Sequence, residues 1–181
     1  MAAMEGEGMR AVDSAAVAAA AERPRALAAI LVGGAIAGVL DFSSAVAAYY
    51  SRGGTPFRVM QSIARGLYGD SAYEGGWQTA IVGLVCHFLI AVTAAAVFYA
   101  ASRRIRFMTE RPVLAGLLYG EVVYLVMNLV VVPLSAIGKF PGRLTWQHMV
   151  TGPVGHLFLV GLPISLAVHH FAPRRADRSR R

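Results

Sequence analysis

Four long apolar stretches, almost free of charged side chains, dominate the pattern of hydrophobic and polar positions along the chain. They cover approximately residues 26–50, 79–102, 112–137 and 149–171. A helix needs about 20 predominantly apolar residues to cross a hydrocarbon core of about 30 Å, and each stretch is long enough. The pattern therefore predicts an all-α integral membrane protein, a bundle of four transmembrane helices.

The segment between the first two stretches has a different, amphipathic pattern. In TPFRVMQSIARGLYGD, Pro56 is placed to begin a helix and Gly69 to end it. One face of that helix would carry Phe57, Met60, Ile63, Ala64 and Leu67, and the opposite face Arg58, Gln61, Ser62 and Arg65. This pattern predicts a short interfacial helix in the first outer loop. The alternative is that the helix folds over the bundle as a lid.

The composition agrees with a membrane protein and argues against several enzyme classes. Of the 181 residues 56% are hydrophobic and 15% are charged, and the mean hydropathy is +0.54. A soluble domain with that balance would have too little polar surface. The chain has no GxxxxGK[ST], HExxH, CxxC or GxSxG motif. We therefore expect a non-enzymatic protein without a cofactor.

The basic residues are distributed unevenly between the two sides of the predicted membrane. Twelve of the 17 lie before the first helix, between the second and third, or after the fourth. The positive-inside rule therefore places both chain ends in the cytoplasm, residues 1–25 as a flexible tail and residues 172–181 as a basic tail. This topology accounts for the net charge of +7, so nucleic acid is not an expected partner. The ratio of 16 arginines to one lysine is typical of a GC-rich bacterial genome.

One phrase of the sequence occurs twice, 69 positions apart: WQTAIVGLVCH at 77–87 and WQHMVTGPVGH at 146–156. A pair of glycines spaced by four residues lies in the helix before each phrase. The matched residues are Trp77 with Trp146, Gln78 with Gln147, Gly83 with Gly152, Val85 with Val154, His87 with His156, and the pairs Gly34–Gly38 and Gly116–Gly120. We therefore predict two repeated helical hairpins related by a pseudo-two-fold axis along the membrane normal. The glycines are predicted helix-packing positions, either within the chain or in a homodimer.

The spacing within the repeated phrase predicts how deep its residues lie. The tryptophans are expected to anchor the hairpins at the outer interface. Each histidine follows ten residues later, about 15 Å along a helix, which is near the middle of the bilayer. The two carboxylates of the helices reach a similar depth, and two further polar residues share the helix face of one of them. The predicted buried polar site consists of Asp41, His87, Glu121, His156, Tyr124 and Asn128.

These polar residues are expected to face inward, because a charge at the centre of a membrane helix costs about 2.5–3.5 kcal/mol on insertion scales. Asp41 or Glu121 is then expected to hydrogen-bond to one of the two histidines. Because carboxylates and imidazoles in such a layer can titrate near neutrality, the layer suits movement of protons or of a small solute. The structural alternative is that the polar residues only hold the helices together, at about 0.6 kcal/mol for an average interhelical hydrogen bond.

A second alternative assigns His87 and His156 as the two axial ligands of a b-type haem, with room for the macrocycle beside Gly83 and Gly152. One histidine per hairpin is sparse for a cytochrome, and the carboxylates are unfavourable neighbours of a porphyrin. The same histidines and carboxylates are suitable metal ligands, but no spacing singles out a metal site.

The elements GGAIAGVLD, GLVCHFLIAV, VLAGLLYGEVVYLVMNLVVVPLS and GPVGHLFLV lie between about residues 30 and 165. In these elements the chain resembles small four-span bacterial inner-membrane proteins of the YagU type. The resemblance implies a multi-pass topology and an inner-membrane location, and it implies no catalytic residues and no substrate. The lipid bilayer is therefore the expected partner.

Overall fold

The computed structural model describes the backbone of residues 2–138 and 146–171, and the side chains of residues 25–138 and 150–171. The helices are α1 Ala2–Tyr50, α2 Pro56–Tyr68, α3 Gly76–Ser102, α4 Phe107–Glu110, α5 Pro112–Val126, α6 Val132–Leu134, α7 Trp146–Gly155 and α8 Leu162–Phe171. A 3-10 turn, Gly69–Tyr73, follows α2, and the π-helical turns Met127–Val131 and His156–Gly161 join α5 to α6 and α7 to α8. The described part of the chain is therefore all-α.

Among the residues that the structure describes, four helical segments are long and apolar enough to cross a membrane: Arg25–Tyr50, Gly76–Ser102, Pro112–Leu134 and Val150–Phe171. We refer to them as the first to fourth long helices. The prediction of four such helices is confirmed, and their bounds lie within a few residues of the predicted ones.

The N-terminal segment is helical, and the prediction that residues 1–25 form a flexible tail stays a prediction. In the structure α1 begins at Ala2, so residues 2–24 continue the first long helix. The segment is rich in alanine, the residue with the highest helix propensity, and this favours helix over an irregular tail. The predicted basic tail, residues 172–181, lies outside the described residues.

Adjacent long helices run in opposite directions. The first packs against the second and the fourth, and the third packs against the fourth. Gly33 lies against Ala167, and the Ser165 hydroxyl donates a hydrogen bond of 2.6 Å to the carbonyl of Pro112. Residues 25, 102, 112 and 171 are therefore at one end of the protein, which we call the terminal end. The opposite end, near residues 50, 76, 134 and 150, is called the loop end.

The core of the protein lies towards the terminal end and is built from small residues around a few large ones. Phe98 and Ile164 are fully buried, with Ala29, Ala95 and Ala115 in the same cluster. Because alanine side chains are short, the helices approach each other closely around this cluster.

The second and third long helices meet in this core through Tyr119. Its hydroxyl donates a 2.7 Å hydrogen bond to the carbonyl of Ala94, and its ring meets the Phe98 ring edge to face at 5.0 Å. The hydrogen bond gives the phenol a partner inside an otherwise apolar contact, where an unpaired hydroxyl would be costly.

The predicted amphipathic helix is present as α2, which we call the connecting helix. Thr55 caps it by accepting a hydrogen bond from the backbone of Arg58, and Gly69 ends it with a φ of 60°. It contacts the loop ends of two long helices. The Met60 backbone lies against Gly83 of the second long helix. The Gly66 carbonyl accepts a 2.9 Å hydrogen bond from the backbone of Ala136, which follows the third long helix.

Two residues of the connecting helix are placed opposite to the prediction. Gln61, expected on the polar face, is only 1% exposed, whereas Leu67, expected on the apolar face, is 60% exposed. The Gln61 amide nitrogen lies 3.4 Å from the carbonyl oxygens of both Tyr73 and Gly76. These carbonyls, one in the 3-10 turn and one at the start of the second long helix, give the amide polar partners, so its burial is tolerated.

Candidate functional site

The glycines of the first hairpin, formed by the first and second long helices, lie where these two helices touch. A β-carbon at Gly34 would come within 2.7 Å of the Val92 α-carbon, and one at Gly38 within 2.8 Å of the Phe88 ring. Only glycine leaves the two helices this close without a shift of their backbones or side chains.

The glycines of the second hairpin, formed by the third and fourth long helices, make the corresponding contact. A β-carbon at Gly116 would come within 3.0 Å of the Gly161 carbonyl oxygen, and one at Gly120 within 2.8 Å of the Leu157 α-carbon. All four glycines are therefore used inside the protomer, which removes the sequence-based argument for a homodimer through a GxxxG face.

His87 of the second long helix faces the first long helix. Its Nε2 lies 2.9 Å from the Gly38 carbonyl oxygen, which fits a hydrogen bond donated by the imidazole. Its ring centroid is 5.6 Å from that of Phe42 and 5.4 Å from that of Phe88. The half-buried imidazole is thus held between a carbonyl and two aromatic rings.

His156 of the fourth long helix faces the third in a comparable way. Its Nδ1 lies 3.0 Å from the Gly152 carbonyl oxygen, and its ring meets the Tyr124 ring at a centroid distance of 5.2 Å. The Tyr124 ring also fills the space beside Gly152, at 2.7 Å from where a β-carbon would be. Asn128 donates a 2.8 Å hydrogen bond to the Tyr124 carbonyl.

The two carboxylates do not bond to the histidines. Asp41 and Glu121 are half-buried, and among the described side chains no hydrogen bond or ion pair joins either of them to His87 or His156. The expected carboxylate–imidazole pairing is therefore wrong, because each of the two imidazoles hydrogen-bonds to a backbone carbonyl instead. Each histidine meets the first helix of its own hairpin, so the predicted layer is split into two clusters, one in each hairpin.

The haem alternative stays a prediction, and protein atoms lie close to the positions that it uses. The Nε2 of His87, the usual axial donor, faces the Gly38 carbonyl. Backbone of Met60 occupies the space beside Gly83, and the Tyr124 ring occupies the space beside Gly152. The space beside Gly83 and Gly152, which this alternative assigned to the macrocycle, is therefore lined by protein atoms. Within residues 25–138 and 150–171, no three His, Cys, Asp or Glu side chains come together as a metal site.

Phe42 is a site residue that the sequence reasoning missed. It contacts His87 as Tyr124 contacts His156. The signal was present in the sequence, because GAIAGVLDF at 34–42 and GLLYGEVVY at 116–124 both read glycine, glycine, aromatic at intervals of four residues. This match extends the repeated pattern to the first helix of each hairpin.

The two tryptophans that were predicted to anchor the hairpins lie at the loop end. Trp77 is 67% exposed and meets Phe57 of the connecting helix edge to face at 4.9 Å. Trp146 begins α7, and its side chain lies outside the described residues. An exposed aromatic pair at a helix end suits the headgroup region of a bilayer.

Arginines of the connecting helix cover a tyrosine at the same end. Arg58 and Arg65 lie over the Tyr73 ring at 4.9 and 5.6 Å, and Arg65 forms a 2.7 Å ion pair with Asp70. Burial raises the pKa of the Tyr73 phenol and Tyr49 raises it further, while Arg65 opposes the shift. The cluster ties the connecting helix to the turn that follows it.

No family model, curated protein or solved structure matches this chain. The resemblance to YagU-type proteins therefore stays a prediction from the sequence motifs, and a functional assignment depends on the geometry described above.

Proposed function

We propose that this chain is a multi-pass protein of a bacterial inner membrane, and that its mid-membrane carboxylates serve movement of protons across that membrane, alone or coupled to a small solute. The surface of the long helices supports the membrane assignment. Large apolar side chains on all four are exposed, among them Leu31, Ile81, Leu118 and Phe158. Such a surface is unfavourable in water and favourable in lipid.

The distribution of charge at the two ends supports a topology with both chain ends in the cytoplasm. The described charged residues of the terminal end are Arg25, Arg103, Arg104, Arg106, Glu110 and Arg111, and those of the loop end are Arg52, Arg58, Arg65, Asp70 and Glu74. The terminal end thus has five arginines and one glutamate among the described residues, and the loop end has three arginines and two carboxylates. The terminal end is therefore the more positively charged. The positive-inside rule accordingly assigns the terminal end to the cytoplasm.

Matching contacts support an origin of the two hairpins by duplication. Equivalent positions of the two hairpins differ by 82 in the first helix of each hairpin, as Gly34 and Gly116 do, and by 69 in the second helix, as His87 and His156 do. With these offsets, contacts inside the first hairpin recur at equivalent positions inside the second. The corresponding pairs are Phe42–His87 with Tyr124–His156, Gly38–Phe88 with Gly120–Leu157, and Gly34–Val92 with Gly116–Gly161. Three equivalent contacts at equivalent positions favour one ancestral hairpin, arranged in parallel in the membrane.

The observation that carries the transport proposal is that the two carboxylates have no polar partner among the described residues. Asp41 and Glu121 lie well inside long helices whose remaining residues, from 26 to 50 and from 112 to 134, include no lysine or arginine. Neither carboxylate is hydrogen-bonded or ion-paired within the described residues. A carboxylate at that depth is neutralised by taking up a proton or a mobile cation, since an isolated charge there is costly.

A reconstituted system tests this proposal. The protein is placed in liposomes with an imposed pH gradient, and proton entry is followed with an internal pH-sensitive dye. We expect Glu121→Gln to abolish the flux while leaving helix content and thermal unfolding unchanged, because the amide keeps the size of the side chain and cannot titrate. Glu110→Gln, in the exposed turn between the second and third long helices, is the matched control. Wild-type flux no faster than that of empty liposomes would overturn the proposal.

A purely structural membrane role is the second candidate, and the close backbone contacts at the glycines favour it. The same experiment separates the two. Under a structural role Glu121→Gln changes the stability of the protein, and neither wild type nor variant moves protons.

A further inference from the structure

We infer that the two hairpins have divided roles: Glu121 of the second hairpin is the proton-binding group, on one helix face with Tyr124 and Asn128, and the first hairpin is a packing copy. This inference rests on the proposed function and assigns its site. It comes from comparing the hairpins with each other. At three equivalent positions the first hairpin has an apolar residue where the second has a polar one: Val39 and Glu121, Phe42 and Tyr124, Val46 and Asn128.

The three polar residues form one face of the third long helix. They are spaced by three and then four residues, so they follow one another along the same side. Contacts show where this face points: the Tyr124 ring meets His156 at 5.2 Å, and Asn128 is bonded to the Tyr124 carbonyl. The face therefore borders the fourth long helix at the depth of His156. His156 and the three residues of the face are half-buried.

The first hairpin serves as an internal control for the structural explanation. With valine, phenylalanine and valine at these positions it makes the same glycine contacts and the same contact between histidine and aromatic ring. Polar residues are thus not needed for this packing. A buried carboxylate is also unfavourable by about 2.5–3.5 kcal/mol on insertion scales, more than an average interhelical hydrogen bond returns. Binding of a proton gives the polar set a role that packing does not.

Asp41 of the first hairpin has different surroundings. The residues three and four positions from it along the helix are Ala37, Gly38, Ser44 and Ala45. The position equivalent to Asp41 in the second hairpin is Val123, so the two carboxylates are not copies of each other.

The titratable groups near Glu121 are few. His156 is the one that the fourth long helix presents at this depth among the described residues, while His169 and His170 lie at the terminal end with Glu110. The proposed step is simple: a proton from water adds to the Glu121 carboxylate to give the neutral acid, and it leaves again to water. Tyr124 and Asn128, on the same helix face, act on this equilibrium by making the surroundings of the carboxylate more polar.

The test exchanges residues between the hairpins. Glu121→Val and Asp41→Val each introduce the residue that the other hairpin has at that position, and Tyr124→Phe with Asn128→Val does the same while keeping Glu121. Proton flux is measured in liposomes as above. In parallel, dicyclohexylcarbodiimide is added over a range of pH, and its adducts at Glu121 and Asp41 are quantified by mass spectrometry. This reagent adds to the protonated carboxyl group, so the pH at which half of the residue reacts reports its titration.

We expect Glu121→Val to abolish flux and Asp41→Val to retain at least half of it. The Tyr124→Phe, Asn128→Val double variant should fold normally, shift the half-reaction of Glu121 to higher pH by about one unit, a tenfold change in proton affinity, and leave that of Asp41 unchanged. An equal loss of flux in both valine variants would overturn the inference, as would an unchanged Glu121 curve in the double variant. If wild-type protein moves no protons, the proposed function fails, and the labelling curves alone then decide whether the two carboxylates differ.

Discussion

Replacing Gly120 by alanine should separate the third and fourth long helices. The new β-carbon would overlap the His156 carbonyl oxygen and lie 2.8 Å from both the His156 carbonyl carbon and the Leu157 α-carbon. Carbon atoms in ordinary contact are about 3.5–4.0 Å apart, so the helices must move by about 1 Å. The three nearest atoms all belong to the backbone, so rotation of a side chain cannot relieve this overlap.

The magnitude follows from two opposing effects. Overpacking of this kind costs about 1–3 kcal/mol. Alanine returns at most about 1 kcal/mol through its higher helix propensity. With the full gain in propensity subtracted, we expect Gly120→Ala to lower the free energy of unfolding by up to about 2 kcal/mol. Gly38→Ala, at the equivalent position of the first hairpin, should lose less, because the atoms nearest to its β-carbon belong to the Phe88 ring, which can turn.

Unfolding in mild detergent with increasing dodecyl sulfate, followed by the circular dichroism of the helices, measures these differences. Gly155→Ala is the matched control, since it lies in the same helix turn as His156 and a β-carbon there meets no atom within 4 Å. It should be neutral or slightly stabilising. Equal stability of the Gly120→Ala and Gly155→Ala proteins would refute the reasoning from backbone contact.

Three further predictions concern the connecting helix and the core. Gly83→Ala should detach the connecting helix, because its β-carbon would overlap the Met60 carbonyl, and limited trypsin digestion should then cleave within that helix faster than in wild type. Because the pKa of Tyr73 is raised, the neutral phenol stabilises the fold fully below the ordinary tyrosine pKa of about 10, and this contribution is lost as the pH rises through the folded-state value. Tyr73→Phe should therefore weaken the alkaline loss of stability seen in thermal unfolding between pH 9 and 12, and an identical pH profile would contradict this. Phe98→Ala should cost about 3–5 kcal/mol in detergent unfolding, since the ring is fully buried, and a loss below about 1 kcal/mol would mean that the core is misplaced.

The sequence alone determined the number, length and order of the long helices. An uncharged run such as 79–102 is long enough to form a membrane-crossing helix whatever surrounds it, and that information is local. The repeated phrase also identified the glycines, and period and spacing put Glu121, Tyr124 and Asn128 on one helix face. These properties follow from one helix at a time, so they need no knowledge of its neighbours.

Only the tertiary structure decided which helix faces each of these residues. The sequence placed His87 and His156 at one depth and therefore in one layer, whereas the structure puts each against an aromatic residue of its own hairpin. Helical periodicity fixes depth and the face of a helix, but not how that face is turned towards other helices. The burial of Gln61 has the same origin, because its carbonyl partners come from residues 73 and 76, beyond its own helix. The rotation of each helix is set by where the glycines let two backbones meet, and that contact exists only in three dimensions.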